Sequence, residues 1–141
     1  MIAKDFLLQI KKIDTLISNK LVEYQQWRDL ALSITANMGG EKVQSTSSQQ
    51  KMSDAIDNCV DIEMQIDRFV EELAEKKRIV IEVIEQLPEP EYDVLHKVYV
   101  QYKTFYEVAD ERDISHSWAT ALHGRALKLL ENILKEREKV D

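Results

Sequence analysis

His116, Ser117, Thr120, Ala121, Arg125 and Lys128 recur at helical spacing in one short stretch near the C-terminus. On one helix they present short hydrogen-bonding side chains, a methyl group and two cations. Ser, Thr and His reach base edges through single hydrogen bonds, Ala contacts a thymine methyl, and Arg and Lys hold phosphates. The chemistry offered is therefore recognition of double-stranded DNA. Other chemistries lack their parts. His116 and His123 lie two helical turns apart, but no Cys, Asp or Glu nearby completes a metal-ligand set, so no metal is expected. No nucleophile–base–acid pattern and no phosphate-cradling glycine loop occurs. The expectation is a non-enzymatic protein with no cofactor and no small-molecule substrate.

Positioning these residues requires two helices and a tight turn. Thr104 and Glu107 are spaced as a capping box, in which hydroxyl and carboxylate each satisfy a free backbone N–H. Val108 and the small Ala109 then give a short helix an apolar face that a second helix can cross closely. Arg112-Asp113-Ile114 forms the turn, with Asp113 where a left-handed residue is wanted. Ser115 caps a longer helix whose inward face is Ala119, Leu122, Ala126, Leu130 and Ile133. Trp118 is either an exposed reader or a lid over the first helix of the unit, with burial favoured. Upstream, Pro88 stops one helix and Pro90 suits the first turn of the next. That helix, from about 91 to 102, buries Tyr92, Leu95, Val98 and Tyr99. Residues 88–141 thus read as a three-helix head containing a helix-turn-helix.

Residues 1–87 read differently. Two long segments, 3–38 and 51–87, repeat apolar residues at alternating spacings of three and four. One seam runs through Phe6, Ile10, Ile13, Ile17, Tyr24, Trp27, Ala31, Ile34 and Met38. The other runs through Met52, Ile56, Cys59, Ile66, Val70, Leu73, Val80, Ile84 and Leu87. Such repeats mean coiled-coil packing, here an all-α antiparallel hairpin with arms of roughly 50 Å. Lys20, Glu63 and Lys77 interrupt the seams where polar residues set register. The connector, Gly39 to Gln50, is polar and glycine-led. Extra apolar residues flank both seams and need cover, from a second hairpin or from the C-terminal helices folded back. The first option, a homodimer, is favoured because symmetric dimers are the commonest oligomers. Its contact residues would be Ile10, Ile17, Tyr24, Trp27, Ile66, Val70 and Leu73.

Composition bounds these readings. The chain has 141 residues, 44% hydrophobic and 32% charged, with three Gly and two Pro, which favours amphipathic helices over sheet. Its net charge of −7 excludes non-specific coating of nucleic acid. From Pro88 onward there are 8 Lys+Arg against 11 Asp+Glu; the rest carries 11 against 15. Any positive patch must be small and local. The single Cys59 excludes an intramolecular disulfide and reads as a buried thiol. Charges in the first turns argue against a signal peptide, and no run is apolar enough for a membrane span. A soluble, cytoplasmic protein is expected.

Four stretches in order, Phe6-Leu-Leu-Gln-Ile-Lys-Lys-Ile-Asp-Thr-Leu-Ile17, Gly40-Glu-Lys-Val-Gln-Ser45, Leu87-Pro-Glu-Pro90 and His123-Gly-Arg-Ala-Leu127, give the chain a wider likeness. It resembles small phage proteins related to the RinA and ArpU late transcriptional regulators, whose C-terminal part is similar to region 4 of bacterial sigma factors. The resemblance implies DNA binding and control of late phage genes, with contact to RNA polymerase as a further option. Sigma-like units usually carry several Arg or Lys at the start of the second helix. Here those positions are His116, Ser117, Trp118, Thr120 and Ala121, with no permanent cation before Arg125. The alternative is a helical adaptor or antagonist that binds polymerase or another regulator without binding DNA on its own.

Overall fold

The computed structural model describes residues 2–38 and 46–140, and these are all-helical. The elements are α1 (Ala3–Met38), α2 (Thr46–Ile84), α3 (Glu89–Leu95), α4 (Phe105–Arg112) and α5 (His116–Val140), with a π-helical turn, His96–Val100, continuing α3. The two long helices pack against each other. Most of the expected connector, residues 39–45, lies outside the described residues, while Thr46 to Gln50 already belong to α2.

The chain forms two compact units. One is residues 13–72, the middle of the helical hairpin. Here Thr35 Oγ1 approaches Met52 Sδ at 3.7 Å, and the Glu63 carboxylate lies near Tyr24 and raises the pKa of its hydroxyl. Eleven residues back along α1 (35 to 24) match eleven forward along α2 (52 to 63), the register of antiparallel arms. Ile13, Ala55 and Ile62 are buried in this unit.

The other unit joins residues 1–12 to residues 73–141. A division at residue 87 was expected, but the structured head extends beyond Pro88–Asp141. The reason lies in α5. Its apolar face buries Ala119 and Leu122 among Val94, Val108 and Ala109 of α3 and α4. The same face continues for three more turns through Ala126, Leu130 and Leu134. Those residues are covered by Phe6, Leu7 and Ile10 of α1 and by Val80, Val83, Ile84 and Leu87 at the end of α2. Glu131 of α5 also accepts a 2.7 Å hydrogen bond from the Ala3 backbone N–H, a donor left open at the start of α1. The C-terminal helix thus folds back over the ends of the hairpin. Leu134 takes the innermost place expected of Ile133, which is half-buried, because a straight helix drifts off a seven-residue repeat.

Local chemistry explains the element ends. The last turn of α2 tightens, with Gln86 and Leu87 donating three residues back, before Pro88 turns extended at φ −56°, ψ 153°. Glu89 and Glu91 favour the start of α3 by facing its positive end. The single helix expected over 91–102 instead widens at His96. Gln101 N–H bonds His96 C=O at 3.0 Å and Lys103 N–H bonds Lys97 C=O at 2.9 Å, while Tyr102 turns left-handed at φ 58°. Of the expected apolar set, Leu95 and Tyr99 are buried and Tyr92 and Val98 are half-buried; Val94 is buried as well.

Leu130 is fully buried at the junction of α5 with α1 and α2. Replacing it with Ala is expected to cost about 2–5 kcal/mol in chemical denaturation, whereas Leu129→Ala, one residue earlier and exposed, should stay within about 0.5 kcal/mol. Equal losses for the two would contradict the fold-back of α5.

Candidate nucleic-acid interface

The turn between α4 and α5 forms as its residues dictate. Thr104 Oγ1 accepts from Glu107 N–H at 3.2 Å, and Glu107 Oε1 accepts from Thr104 N–H at 3.2 Å, which completes the capping box. Asp113 sits left-handed at φ 56°, ψ 49°, and Ile114 N–H closes the helix end on Ala109 C=O at 2.9 Å. Ser115 Oγ then accepts from Trp118 N–H at 3.0 Å and starts α5. Ala109 is buried against Ala119 and Leu122, where two small residues let the helices approach closely.

His116, Ser117, Thr120, Ala121, Arg125 and Lys128 are all exposed, opposite the buried face of α5. Between them, a Cβ added to Gly124 would meet nothing within 4 Å. Thr120 Oγ1 donates to His116 C=O at 3.0 Å, so its proton is engaged and its lone pairs point outward as acceptors. The His116 ring stacks on exposed Tyr106 of α4 at 4.0 Å between centroids. Trp118, expected to be buried, is 46% exposed. Ala119 beside it takes the close-packed position, and the indole lies outside with the Arg125 guanidinium 5.9 Å from its ring centre.

His123 has a separate role. Its Nε2 shares a 2.8 Å hydrogen bond with the Tyr99 hydroxyl, and Phe105 meets its ring edge-on at 4.9 Å. Burial, with a smaller contribution from the Lys4 charge, pushes its pKa below the ordinary histidine value; burial raises that of Tyr99. A neutral imidazole therefore ties α5 to the π turn and to α4. Among the described residues, no group of three or more His, Cys, Asp or Glu side chains could hold a metal ion.

The cations around this face are largely engaged within the chain. Arg112 holds Glu89 through two bonds of 2.8 and 3.0 Å and Asp93 through one of 2.7 Å, and Lys97 reaches Asp93 at 2.9 Å. Burial would raise the pKa of Asp93, but the hydrogen bonds from Lys97 and Arg112 together hold it below the usual range. Glu89 is lowered by Arg112 and Arg112 itself is raised by both partners. Lys103 pairs with Glu111. Arg125 lies 3.5 Å from Glu91, a carboxylate that is only 4% exposed. Among the described residues, Lys128 is exposed on this face with no carboxylate within ion-pair distance.

The Glu91–Arg125 pair and the Arg112 clamp were not anticipated from sequence. The Asp93–Lys97 spacing of four is a legible helical pair. Nothing local announces that Arg112, inside the turn, reaches back to α3, because that contact depends on how three helices converge.

The seven residues expected at a dimer contact fall in different places. Ile10 is fully buried in the chain's own core and has no surface to offer a second chain, because α5 and the end of α2 already cover it. Leu73 packs half-buried against the same core. Ile17, Tyr24, Trp27 and Ile66 are half-buried within the residue 13–72 unit, and Val70 is 48% exposed. Lys20 pairs with Glu23 of its own helix at 3.4 Å, Glu63 lies near Tyr24, and Lys77 is half-buried. Cys59, expected to be buried, is half-exposed. The apolar surface left open in this unit comes from other positions, notably Leu21, Leu32, Ile56, Val60 and Met64.

Comparison with known proteins adds no relative: no family model, no curated protein and no solved structure matches the chain.

Two measurements check the site. Asp113→Gly should leave stability nearly unchanged, whereas Asp113→Val should cost about 1–2 kcal/mol, since a β-branched residue is strained at positive φ. For His123 the folded pKa is the lower one, so its contribution is complete above the ordinary value of 6.5 and lost as pH falls below it. Melting temperature should therefore drop between about pH 7 and 5, and His123→Gln should flatten that slope. An unchanged slope would assign the pH dependence elsewhere.

Proposed function

We propose that the protein is a phage or prophage transcriptional regulator that docks on promoter DNA through the start of α5. One observation carries this reading: the capped α4, the left-handed Asp113 and the Ser115-capped α5 fix one face of α5 in the core and leave His116, Ser117, Thr120 and Ala121 exposed on the other. A helix held in this way suits a major groove. The resemblance to late regulators with a sigma-like head supports the same reading, and the host cytoplasm would be its location. No helix among the described residues is long and apolar enough to cross a membrane.

The phosphate contribution is small under this reading. Arg125 and Lys128 would neutralise roughly two phosphates per head, giving a log–log salt slope near −2, or near −4 for two heads. Specificity then rests on single hydrogen bonds from His116, Ser117 and Thr120 and on methyl contact from Ala121. Pairing of two copies belongs to the same proposal, with Ile56, Val60 and Met64, four residues apart on one side of α2, as apolar surface a second hairpin would cover.

A second reading is favoured by the engagement of Lys97, Lys103, Arg112 and Arg125 with carboxylates of the same chain. An adaptor that contacts RNA polymerase or another regulator needs no free basic rim.

The experiment is selection of fragments of the source genome by purified protein at two salt concentrations. The DNA-binding reading expects one promoter-proximal site to be enriched, more weakly at the higher salt. Lys128→Ala should weaken binding to all sequences alike and reduce the salt slope by about one. An unchanged slope would remove Lys128 from the phosphate contacts, and no enrichment at low salt would leave the adaptor reading.

A further inference from the structure

We infer that the groove between α1 and α2 in the residue 13–72 unit is a docking site for a cationic amphipathic helix of a partner protein. This rests on the hairpin alone and is independent of what the head binds. The groove is open and holds about 570 Å³. Trp27, Leu30 and Ile34 line it from α1, and Asp54, Asp57 and Asp61 from α2. Both rows follow the spacing of one helix face, three then four residues, and each runs over two turns, about 10 Å. An apolar ridge thus lies parallel to a row of carboxylates. A helix seated there would need its own apolar stripe at the same spacing, flanked by Lys or Arg.

Charge selects this occupant over the others. Residues 13–72 hold 11 Asp+Glu against 5 Lys+Arg, a balance of −6, while the rest of the chain holds 15 against 14, a balance of −1. Nearly all of the protein's net charge therefore lies on the hairpin unit. Asp54 accepts only a neutral donor, Gln50 Nε2 at 2.9 Å, and among the described residues no Lys or Arg pairs with Asp57 or Asp61. Lys51 is the one cation lining the groove. A second copy seated in this groove would bring carboxylates against carboxylates, and nucleic acid or an anionic membrane would be repelled. A partner with Lys or Arg beside its apolar anchors gains both terms.

The test uses the full chain and a fluorescein-labelled Leu/Lys peptide of roughly 18 residues with its leucines at helical spacing. Fluorescence anisotropy should show saturable one-to-one binding that weakens with salt. The double variant Asp57→Asn, Asp61→Asn should weaken it about tenfold, as should Leu30→Ser, with circular dichroism confirming that each remains folded. Asp110→Asn with Glu136→Gln removes the same charge from the head and should change little. Equal losses from that control pair would mean attraction to bulk charge and overturn the site. So would equal binding of a peptide with the same composition and scrambled spacing, or unchanged binding by Leu30→Ser. DNA selection by the groove variants should match wild type, which keeps failure of this site distinct from failure of the head.

Discussion

The apolar face of α5 is the constraint on which the C-terminal unit depends. One helix supplies Ala119 and Leu122 to the small core beneath α3 and α4, and Ala126, Leu130 and Leu134 to the larger core with α1 and α2. Without α5 the smaller core keeps only Val94, Val108 and Ala109, and Phe6, Leu7, Ile10 and the end of α2 lose the cover of Ala126, Leu130 and Leu134. The exposed face of α5 is thereby held still by the buried one. Whatever His116, Ser117 and Thr120 contact, they contact it from a rigid rod.

Polar interactions then orient what burial has gathered. Arg112 bridges Glu89 and Asp93, and so joins the end of α4 to the start of α3. His123 and Tyr99 join α5 to the π turn. These contacts draw on the charged and aromatic groups nearest the turn, and Arg125 is partly drawn in as well, beside Glu91 and Trp118. The head gains a defined geometry and gives up free positive charge in the same step.

How much of this was legible follows from the range of each signal. Thr104, Glu107, Asp113 and Ser115 act on backbone groups within three or four residues, and all four took the roles their types suggest. Apolar spacing marked the long helices as amphipathic, although in α2 it put Ile56 and Val70, which are exposed, in a seam whose buried members there are Ala55 and Ile62. It could not say what covers them: Ile10 and Leu73 suit a second chain as well as they suit α5, and the continuation of the α5 face to Leu134 was the available sign that the chain covers them itself. For Trp118 aromatic character favours burial on average, whereas its position beside Ala119 selects the exposed alternative. Glu91 and Arg125, far apart in sequence, were out of reach of any local rule.

Gly124 shows how loosely folding and contact are coupled on α5. A glycine inside a helix costs about 1 kcal/mol relative to alanine, and no neighbour within 4 Å requires its missing side chain. The helix is kept below its attainable stability at a point where the rest of the chain gains nothing from it. Side chains on that outer row other than Arg125, which sits beside the buried Glu91, can therefore be exchanged with little penalty to the fold. A lineage carrying this scaffold could change what the row meets by drift at a handful of positions, while the interior that holds the row in place stays as it is.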